Sequence, residues 1–299
     1  MDKQHRAEQS VLYVVATPIG NLGDMTYRAV AILESVDLVA AEDTRHTSRL
    51  LSFYNISANL ISCHEHNEAQ RARQLVEKMR QGQSVALVSD AGTPSVSDPG
   101  YRIVREAVDA GIRVVPIPGA SAAIAAISAS GMPSDMFSFI GFVPKKKNRQ
   151  DAVLVELSER NETLVFYESP RRVIALLRAI GAHMGDRHVV IARELTKIHE
   201  TFMRGPISRV IAELDAIEKI RGEVTLLVAG KQESKDEDPG ALEEEIERSI
   251  LEDRLSPSRL AAGLAKRYNV SKNEIYQKIL TVQARLDAMD HNRGDSSDG

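Results

Sequence analysis

The chemistry in this sequence is concentrated in short segments that follow apolar runs. Ala16-Thr17-Pro18-Ile19-Gly20-Asn21-Leu22-Gly23-Asp24 carries two glycines, which let a backbone approach a ligand closely. Glu42 or Asp43 lies about 20 residues on, where dinucleotide-binding units carry an acidic residue. Here, however, the glycine spacing is G-x-x-G and Pro18 occupies the turn, so a plain strand-to-helix turn stays open. Ser89-Asp90-Ala91-Gly92-Thr93-Pro94-Ser95-Val96-Ser97-Asp98-Pro99-Gly100 offers backbone N–H groups and hydroxyls. That suits an amino-acid or ribose moiety better than a bare phosphate, and the run is long for a structural turn. In Pro118-Gly119-Ala120-Ser121-Ala122-Ala123, Ser121 can cap a helix whose N-terminus also points at a ligand. Glu42-Asp43-Thr44-Arg45-His46 places two carboxylates at a strand end. Side chains alternate along a strand, so one of the two can cap while the other acts. Tyr167-Glu168-Ser169-Pro170-Arg171-Arg172 and Ala192-Arg193-Glu194-Leu195-Thr196-Lys197 also follow strands, and structural Arg–Glu pairs would explain both equally well.

Positioning these loops requires a regular frame. Residues 11–16, 38–41, 60–62, 85–89 and 114–116 are short, near-continuous apolar runs, as in a parallel sheet covered on both faces. Amphipathic segments separate them; Ala29, Ile32, Leu33 and Val36 recur at helical spacing. Asp98-Pro99 reads as an N-cap with proline at the first helical position, and Gly111 as the end of that helix. This βαβ series predicts an α/β domain over 11–131. After Gly131-Met132-Pro133-Ser134-Asp135, runs at 137–140, 163–167, 188–191 and 224–229 predict a second α/β domain over 135–230, with Ser169-Pro170 starting one of its helices. Residues 231–240 have linker composition. A helix-turn-helix-like appendage is expected over 241–288, with Ser256-Pro257 starting its second helix and Ser271 and Glu274 forming a capping box on its third. Residues 1–10 and 290–299 read as disordered.

Composition narrows the function classes. The net charge of −4 rules out a uniformly basic surface, so any nucleic-acid contact must rest on local patches. A single cysteine, Cys63, excludes an intramolecular disulfide framework and a multi-cysteine zinc site. The N-terminus lacks an apolar signal-peptide core, and no stretch approaches the roughly 18 apolar residues of a membrane span, so a cytoplasmic location is expected.

Together these loops resemble the tetrapyrrole methylase superfamily, the two-domain (class III) methyltransferases that hold S-adenosylmethionine between their domains. Within it they resemble the ribosomal RNA small subunit methyltransferase I family. The carrying residues are Thr17 through Asp24, Glu42-Asp43-Thr44-Arg45, His64-Glu65-His66-Asn67-Glu68, Ser89 through Gly100, Tyr167-Glu168-Ser169-Pro170, and Arg193-Glu194-Leu195-Thr196-Lys197 with His199-Glu200. The likeness runs from about residue 11 to residue 230, and the helical appendage also fits. It implies 2′-O-methylation of a cytidine in the decoding region of 16S ribosomal RNA, the family target being cytidine 1402. It implies S-adenosylmethionine as cofactor, 16S RNA or the small ribosomal subunit as partner, and a homodimer. Carried over by motif, Pro18, Ser89, Asp90, Ala91, Gly92, Thr93, Ser121, Ala122, Glu168 and Leu195 surround the cofactor. Where related methylases read Gly-Gly-Asp, this chain has Ser89-Asp90-Ala91, which bears on the register of those contacts.

A 2′-hydroxyl is a poor acid, so a base or a cation near it would help; Asp43, Glu42 and His64, with His66 beside it, are the candidates. Methyl transfer needs no metal, and His-Glu-His alone is a weak metal signature. Rival readings are a small-molecule tetrapyrrole methylase, which would not need the appendage, and a non-catalytic RNA-binding module, which would not need the cleft loops. RNA contacts are expected at Lys145, Lys146, Lys147 and Arg149, in a loop overhanging the cleft, and at Lys266, Arg267 and Lys272 on the C-terminal helices. Changing Lys145, Lys146 and Lys147 together to Ala should weaken RNA binding and flatten its salt dependence by about one unit of slope per lost phosphate contact. Affinity for S-adenosylmethionine should be untouched, and a salt titration with an unchanged slope would return this cluster to ordinary solvated surface.

Overall fold

Short apolar runs, most deeply buried at the centre, build a parallel sheet of β1 (Val11–Val15), β2 (Leu38–Ala41), β3 (Leu60–Ser62), β4 (Val85–Val88) and β5 (Arg113–Ile117), in the order β3-β2-β4-β1-β5 with β3 and β5 as half-buried edges. The computed structural model describes residues 6–231, 239–252, 256–268 and 270–294. Helices α1 (Tyr27–Ser35), α2 (Thr44–Phe53), α3 (Glu68–Arg80) and α4 (Tyr101–Asp109) connect the strands. Ala29, Ile32 and Leu33 of α1 and Leu51 of α2 cover one face. Leu75 and Met79 of α3 and Ile103 and Ala107 of α4 cover the other. Gly111, at φ +72°, ends α4 as its sequence position predicts. The start of α4 differs from expectation. Its N-cap is Gly100, and the Oε1 of Glu68 accepts from the N–H groups of Gly100 and Arg102, both at 2.9 Å. A carboxylate from another helix therefore serves this N-terminus, and Asp98 is released from capping.

The second sheet contains β6 (Phe137–Gly141), β7 (Thr163–Glu168), β8 (His188–Arg193), β9 (Thr201–Pro206) and β10 (Val224–Val228), ordered β6-β7-β10-β8-β9. Only β6 and β7 pair in parallel. Strand β9 is absent from the sequence reading because Gly205-Pro206 look like a turn; an edge strand tolerates both residues. One face is packed by α6 (Lys147–Ser158), α7 (Val173–Met184) and α8 (Ile207–Asp215) around Phe166, Leu176 and Leu226. Helix α7 begins at Val173 rather than at Ser169, whose carbonyl accepts from Arg172 in a preceding turn.

The other face is covered by α5 (Ala122–Ser130), which follows the last strand of the first sheet. Its Ala123, Ala126 and Ile127 bury against Val165, Val190 and Leu227. Arg204 on β9 closes its C-terminus, donating to the carbonyls of Ala129 at 2.8 Å and Ser130 at 3.1 Å.

The described residues beyond Lys231 form a separate compact unit of α9 (Pro239–Glu252), α10 (Pro257–Arg267) and α11 (Lys272–Gly294). Ile246, Leu260, Leu264, Ile275 and Ile279 form its core. Ser256 and Pro257 stand at the cap and first position of α10, and the Glu274 N–H donates to Ser271 Oγ at 3.2 Å. Helix α11 runs to Gly294, into the stretch that the sequence reads as disordered; at the other end, the Ala7 N–H donates to Ser35 Oγ. Residues 1–5 and 295–299 lie outside the described residues. No helix among the described residues is long and apolar enough to cross a membrane.

Phe166 is fully buried at the centre of β7. Phe166→Ala should cost about 3–5 kcal/mol through lost transfer energy and the cavity left behind. Urea denaturation of residues 6–231 within the whole protein, followed by circular dichroism, measures the shift in midpoint.

Candidate active site

β1 and β4 pair in parallel with Leu12 opposite Val85 and Val14 opposite Leu87, so the loops that follow them leave the sheet side by side. Thr17 and Gly92 join the loops: the Thr17 N–H donates to the Gly92 carbonyl at 2.9 Å and the Gly92 N–H to the Thr17 carbonyl at 3.0 Å. Gly92 has φ +84°, and a Cβ there would lie 3.3 Å from the Ile19 Cγ2. Ser95 and Ser97 hold left-handed conformations, φ +70° and +64°, in the same loop. Such strain costs of order 1–3 kcal/mol per residue and persists where surrounding structure enforces it.

From the opposite side come the end of β7 and the start of β10, paired with Val224 opposite Glu168. Tyr167 crosses to α5, where its hydroxyl accepts from the Ala123 N–H at 3.1 Å. Ser121, the expected cap, makes no side-chain capping bond. Burial raises the Tyr167 phenol, which stays protonated at neutral pH. Phe139 and Phe142 meet the Tyr167 ring edge-on, at 5.0 and 5.8 Å.

Between these walls lies a cavity of about 380 Å³. Ala91, Gly92, Thr93, Ser121, Ala122 and Glu168, six of the residues expected around the cofactor, line it. Pro18 and Asp90 line an adjoining cavity of about 310 Å³, and Ala91 borders both. Two of the expected residues line neither. Ser89 is buried beneath the loop, and Leu195 packs in the core with Ile19 and Ala123. The sequence reading missed Asp98, Phe142, Tyr167 and Thr225 as cavity residues. Tyr167 and Asp98 stand inside quoted motifs, one passed over and the other assigned to a helix cap. Phe142 and Thr225 carry no local signal, because the second sheet delivers them.

The carboxylates at the strand ends fall into two groups. Asp43 caps α2, accepting from the Arg45 N–H at 2.9 Å, and pairs with the Arg45 guanidinium at 2.7 Å. Hydrogen bonds from Arg45 hold it well below the usual carboxylate range, so it is a weak base. Glu42 points inward and is raised, first by burial and then by the charge of Asp90. Asp98 is pushed up to about 6 by burial and by Glu42 and Asp90, partly opposed by the Ser89 hydroxyl. The His64 Nε2 is 3.2 Å from the Asn67 amide nitrogen, while its Nδ1 is buried without a hydrogen-bond partner; His66 lies edge-on at 6.0 Å. Among the described residues no group of three or more His, Cys, Asp or Glu is arranged to hold a metal ion.

The first cavity fits S-adenosylmethionine. Asp98 and Glu168 are acidic neighbours for a sulfonium and an α-amine. The Glu168 Oε2, 3.3 Å from Arg172, is buried and accepts no hydrogen bond. The α5 N-terminus supplies backbone N–H groups, and Ile19, Val96 and Phe142 supply apolar surface for a base.

Of the expected RNA residues, Lys145 and Lys146 are exposed just before α6, while Lys147 and Arg149 stand in its first turn rather than in a loop. Lys147 pairs with Asp151 at 3.0 Å. Lys272 is exposed at the start of α11; the side chains of Lys266 and Arg267 lie outside the described residues.

Comparison with known proteins agrees with this geometry. The family of Tetrapyrrole (Corrin/Porphyrin) Methylases matches residues 11–211. A ribosomal RNA small subunit methyltransferase I from Escherichia coli O157:H7 is 46% identical over 287 residues, covering 94% of this chain and 99% of the relative. The protein of that name from Bacillus subtilis strain 168 is 43% identical, covering 91% and 94%. Among solved structures, the methyltransferase CobJ superposes with a TM-score of 0.55 at 20% identity, over 74% of this chain and 93% of its own. A cobalt precorrin-4 methyltransferase gives 0.54 at 16%, over 74% and 95%. At those identities the two structures speak for the fold alone, the two-domain tetrapyrrole-methylase architecture expected from the sequence. Matched by that family over residues 11–211, and by curated relatives along nearly its full length, the chain belongs to the ribosomal RNA small subunit methyltransferase I family of tetrapyrrole methylases.

Proposed function

We propose that the protein transfers a methyl group from S-adenosylmethionine to the ribose 2′-hydroxyl of a cytidine in small-subunit ribosomal RNA, cytidine 1402 being the family target. The observation that carries this reading is the cavity at the carboxyl ends of β1, β4 and β5, walled on its far side by Tyr167, Glu168 and Thr225. Open α/β sheets bind ligands at that position. The proposal includes a homodimer acting in the cytoplasm on the small subunit or its RNA; light scattering of the purified protein tests the oligomeric state.

Bound there, S-adenosylmethionine supplies an electrophilic methyl group on a cationic sulfur. The protein contributes alignment and a dry setting, which account for much of the acceleration in a displacement of this kind. Gly92 lets the β4 loop lie against Ile19, and Tyr167 fixes the α5 N-terminus at the cavity wall. Asp98 is the group best suited to take the 2′-hydroxyl proton. It faces the cavity, and its pKa of about 6 lies near neutral pH, where a base is both ionised and effective. Glu42 and Asp90 favour proton uptake by Asp98. Asp43 is occupied by Arg45, and its role in this scheme is to start α2. Lys145, Lys146 and Arg149 add positive charge at the N-terminus of α6, where cations oppose the helix dipole but suit a bound phosphate.

Gly92→Val should leave a folded protein whose S-adenosylmethionine affinity falls at least tenfold, about 1.4 kcal/mol. Calorimetry reads the affinity and a thermal melt checks folding; an unchanged affinity would remove this loop from the cofactor site.

Single-turnover methyl transfer should rise with pH through about 6 and then level off. Asp98→Asn should abolish that rise and lower the rate by roughly 10² or more. Asp43→Asn, which keeps a capping side chain, should retain the rise. Stability provides a second readout. Folded Asp98 binds its proton more tightly than an unfolded aspartate, so its contribution is fully present below about pH 4 and is lost as pH rises through about 6. Asp98→Asn should therefore be more stable than the parent protein above pH 6 and no more stable at pH 4. A rate profile that survives Asp98→Asn would move the base to Glu42 or His64.

A further inference from the structure

The second cavity, about 310 Å³, adjoins the first and shares Ile19, Ala91 and Glu223 with it. Its floor is apolar, formed by Pro18, Ile19, Leu22 and Leu50, and its polar lining is His46, Arg49 and Lys197 with the carboxylates Asp90 and Glu223. The Lys197 ammonium is tied to Glu194 at 2.9 Å and Glu223 at 3.2 Å. Gly20 allows its stem to cross the β1 loop, since a Cβ there would stand 2.6 Å from the Lys197 Cγ. The His46 and Arg49 side chains are different. Both residues are exposed, and neither side chain has a hydrogen bond or ion pair among the described residues.

His46, Arg49 and Leu50 share one face of α2, and Phe53 continues that face four residues beyond Arg49, with 59% of its surface exposed. The Phe53 ring is not loosely held, because it packs edge-on against Tyr54 at 5.0 Å. Tyr54 in turn donates its hydroxyl to the Leu22 carbonyl in the cavity floor. On a chain of net charge −4, this stripe joins an unpaired guanidinium and an imidazole to an exposed aromatic ring beside the first cavity. A single nucleic-acid strand has the matching chemistry: phosphates for the guanidinium fork and the imidazole, and flat bases for the ring.

We propose that the α2 stripe His46–Arg49–Phe53 and the cavity behind it dock the RNA strand flanking the methyl acceptor, with Arg49 and His46 on phosphates and Phe53 stacked on a base. This rests on the reading of the protein as an RNA methyltransferase. It adds the side from which the strand enters and the residues that hold it.

The test uses the full chain, a fluorescein-labelled single-stranded RNA of decoding-region sequence read by anisotropy across a salt titration, and calorimetry with S-adenosylmethionine. Arg49→Gln should weaken RNA binding about tenfold and reduce the slope of log affinity against log salt by about 0.7. Arg49→Lys should restore the slope. Phe53→Ala should weaken binding at every salt concentration without changing the slope. All three should bind S-adenosylmethionine like the parent protein. RNA affinity and slope unchanged in both Arg49→Gln and Phe53→Ala would overturn the proposal, as would failure of the parent protein to bind the RNA. Labelling of small subunits from tritiated S-adenosylmethionine separates the two readings. Labelled RNA with indifferent variants removes the groove and keeps the function; sensitive variants without labelled RNA keep the groove and remove the function.

Discussion

Helix α5 is the part on which the site depends, because it leaves the first sheet and is anchored at both ends by the second. Tyr167 of β7 accepts from its N-terminal Ala123 N–H, and Arg204 of β9 donates to its last carbonyls. Between the anchors, alanines on the buried face let the helix approach Val165, Val190 and Leu227 closely. Without this packing the loops after β1 and β4 would face solvent. With it they face Glu168 and Thr225 across a cavity. The same tyrosine that builds the wall also caps the helix, so packing and ligand geometry are coupled through one hydroxyl.

Electrostatics follow from which way each carboxylate points. Glu42 and Asp43 are neighbours in the turn between β2 and α2, yet Glu42 faces the charges of Asp90 and Asp98 while Asp43, as the α2 N-cap, faces Arg45. Inside, burial and mutual repulsion favour the protonated forms of Glu42 and Asp98; outside, Arg45 favours the ionised form of Asp43. Raised acids beside this cavity have a second consequence. A sulfonium placed among them, as proposed, would be attracted, and its charge would ease ionisation of Asp98.

The cationic residues are distributed to suit a polyanion despite the acidic total. Lys197 is held by two glutamates and packs across Gly20, so it serves the architecture of the β1 loop. Lys145, Lys146 and Arg149 cluster at the start of α6, and Arg49 stands along α2 with the imidazole of His46 beside it. The α2 cluster shares its helix face with an exposed aromatic side chain, Phe53, and Phe142 precedes the α6 cluster by three residues in sequence. Local charge with an adjacent ring is what a weakly acidic protein needs to grip a strand without a uniformly basic surface.

The sequence alone determined what depends on neighbours along the chain. The apolar runs marked nine of the ten strands, because continuous burial leaves a continuous pattern. Gly111 marked the end of α4, and Ser256-Pro257 the start of α10, because backbone conformation is a local property. The loop motifs also marked most residues of the first cavity. Tertiary structure decided the rest. Strand β9 pairs along an edge whose Gly205-Pro206 look like a turn locally. Helix α4 is capped by Glu68 rather than Asp98, and α5 by Tyr167 rather than Ser121. Those exchanges free Asp98 for the cavity and give it company in Glu42 and Asp90. A proton's affinity and a cavity's lining are set by distances through space, and residues 42, 90, 98 and 168 become neighbours only when two sheets and one helix have packed.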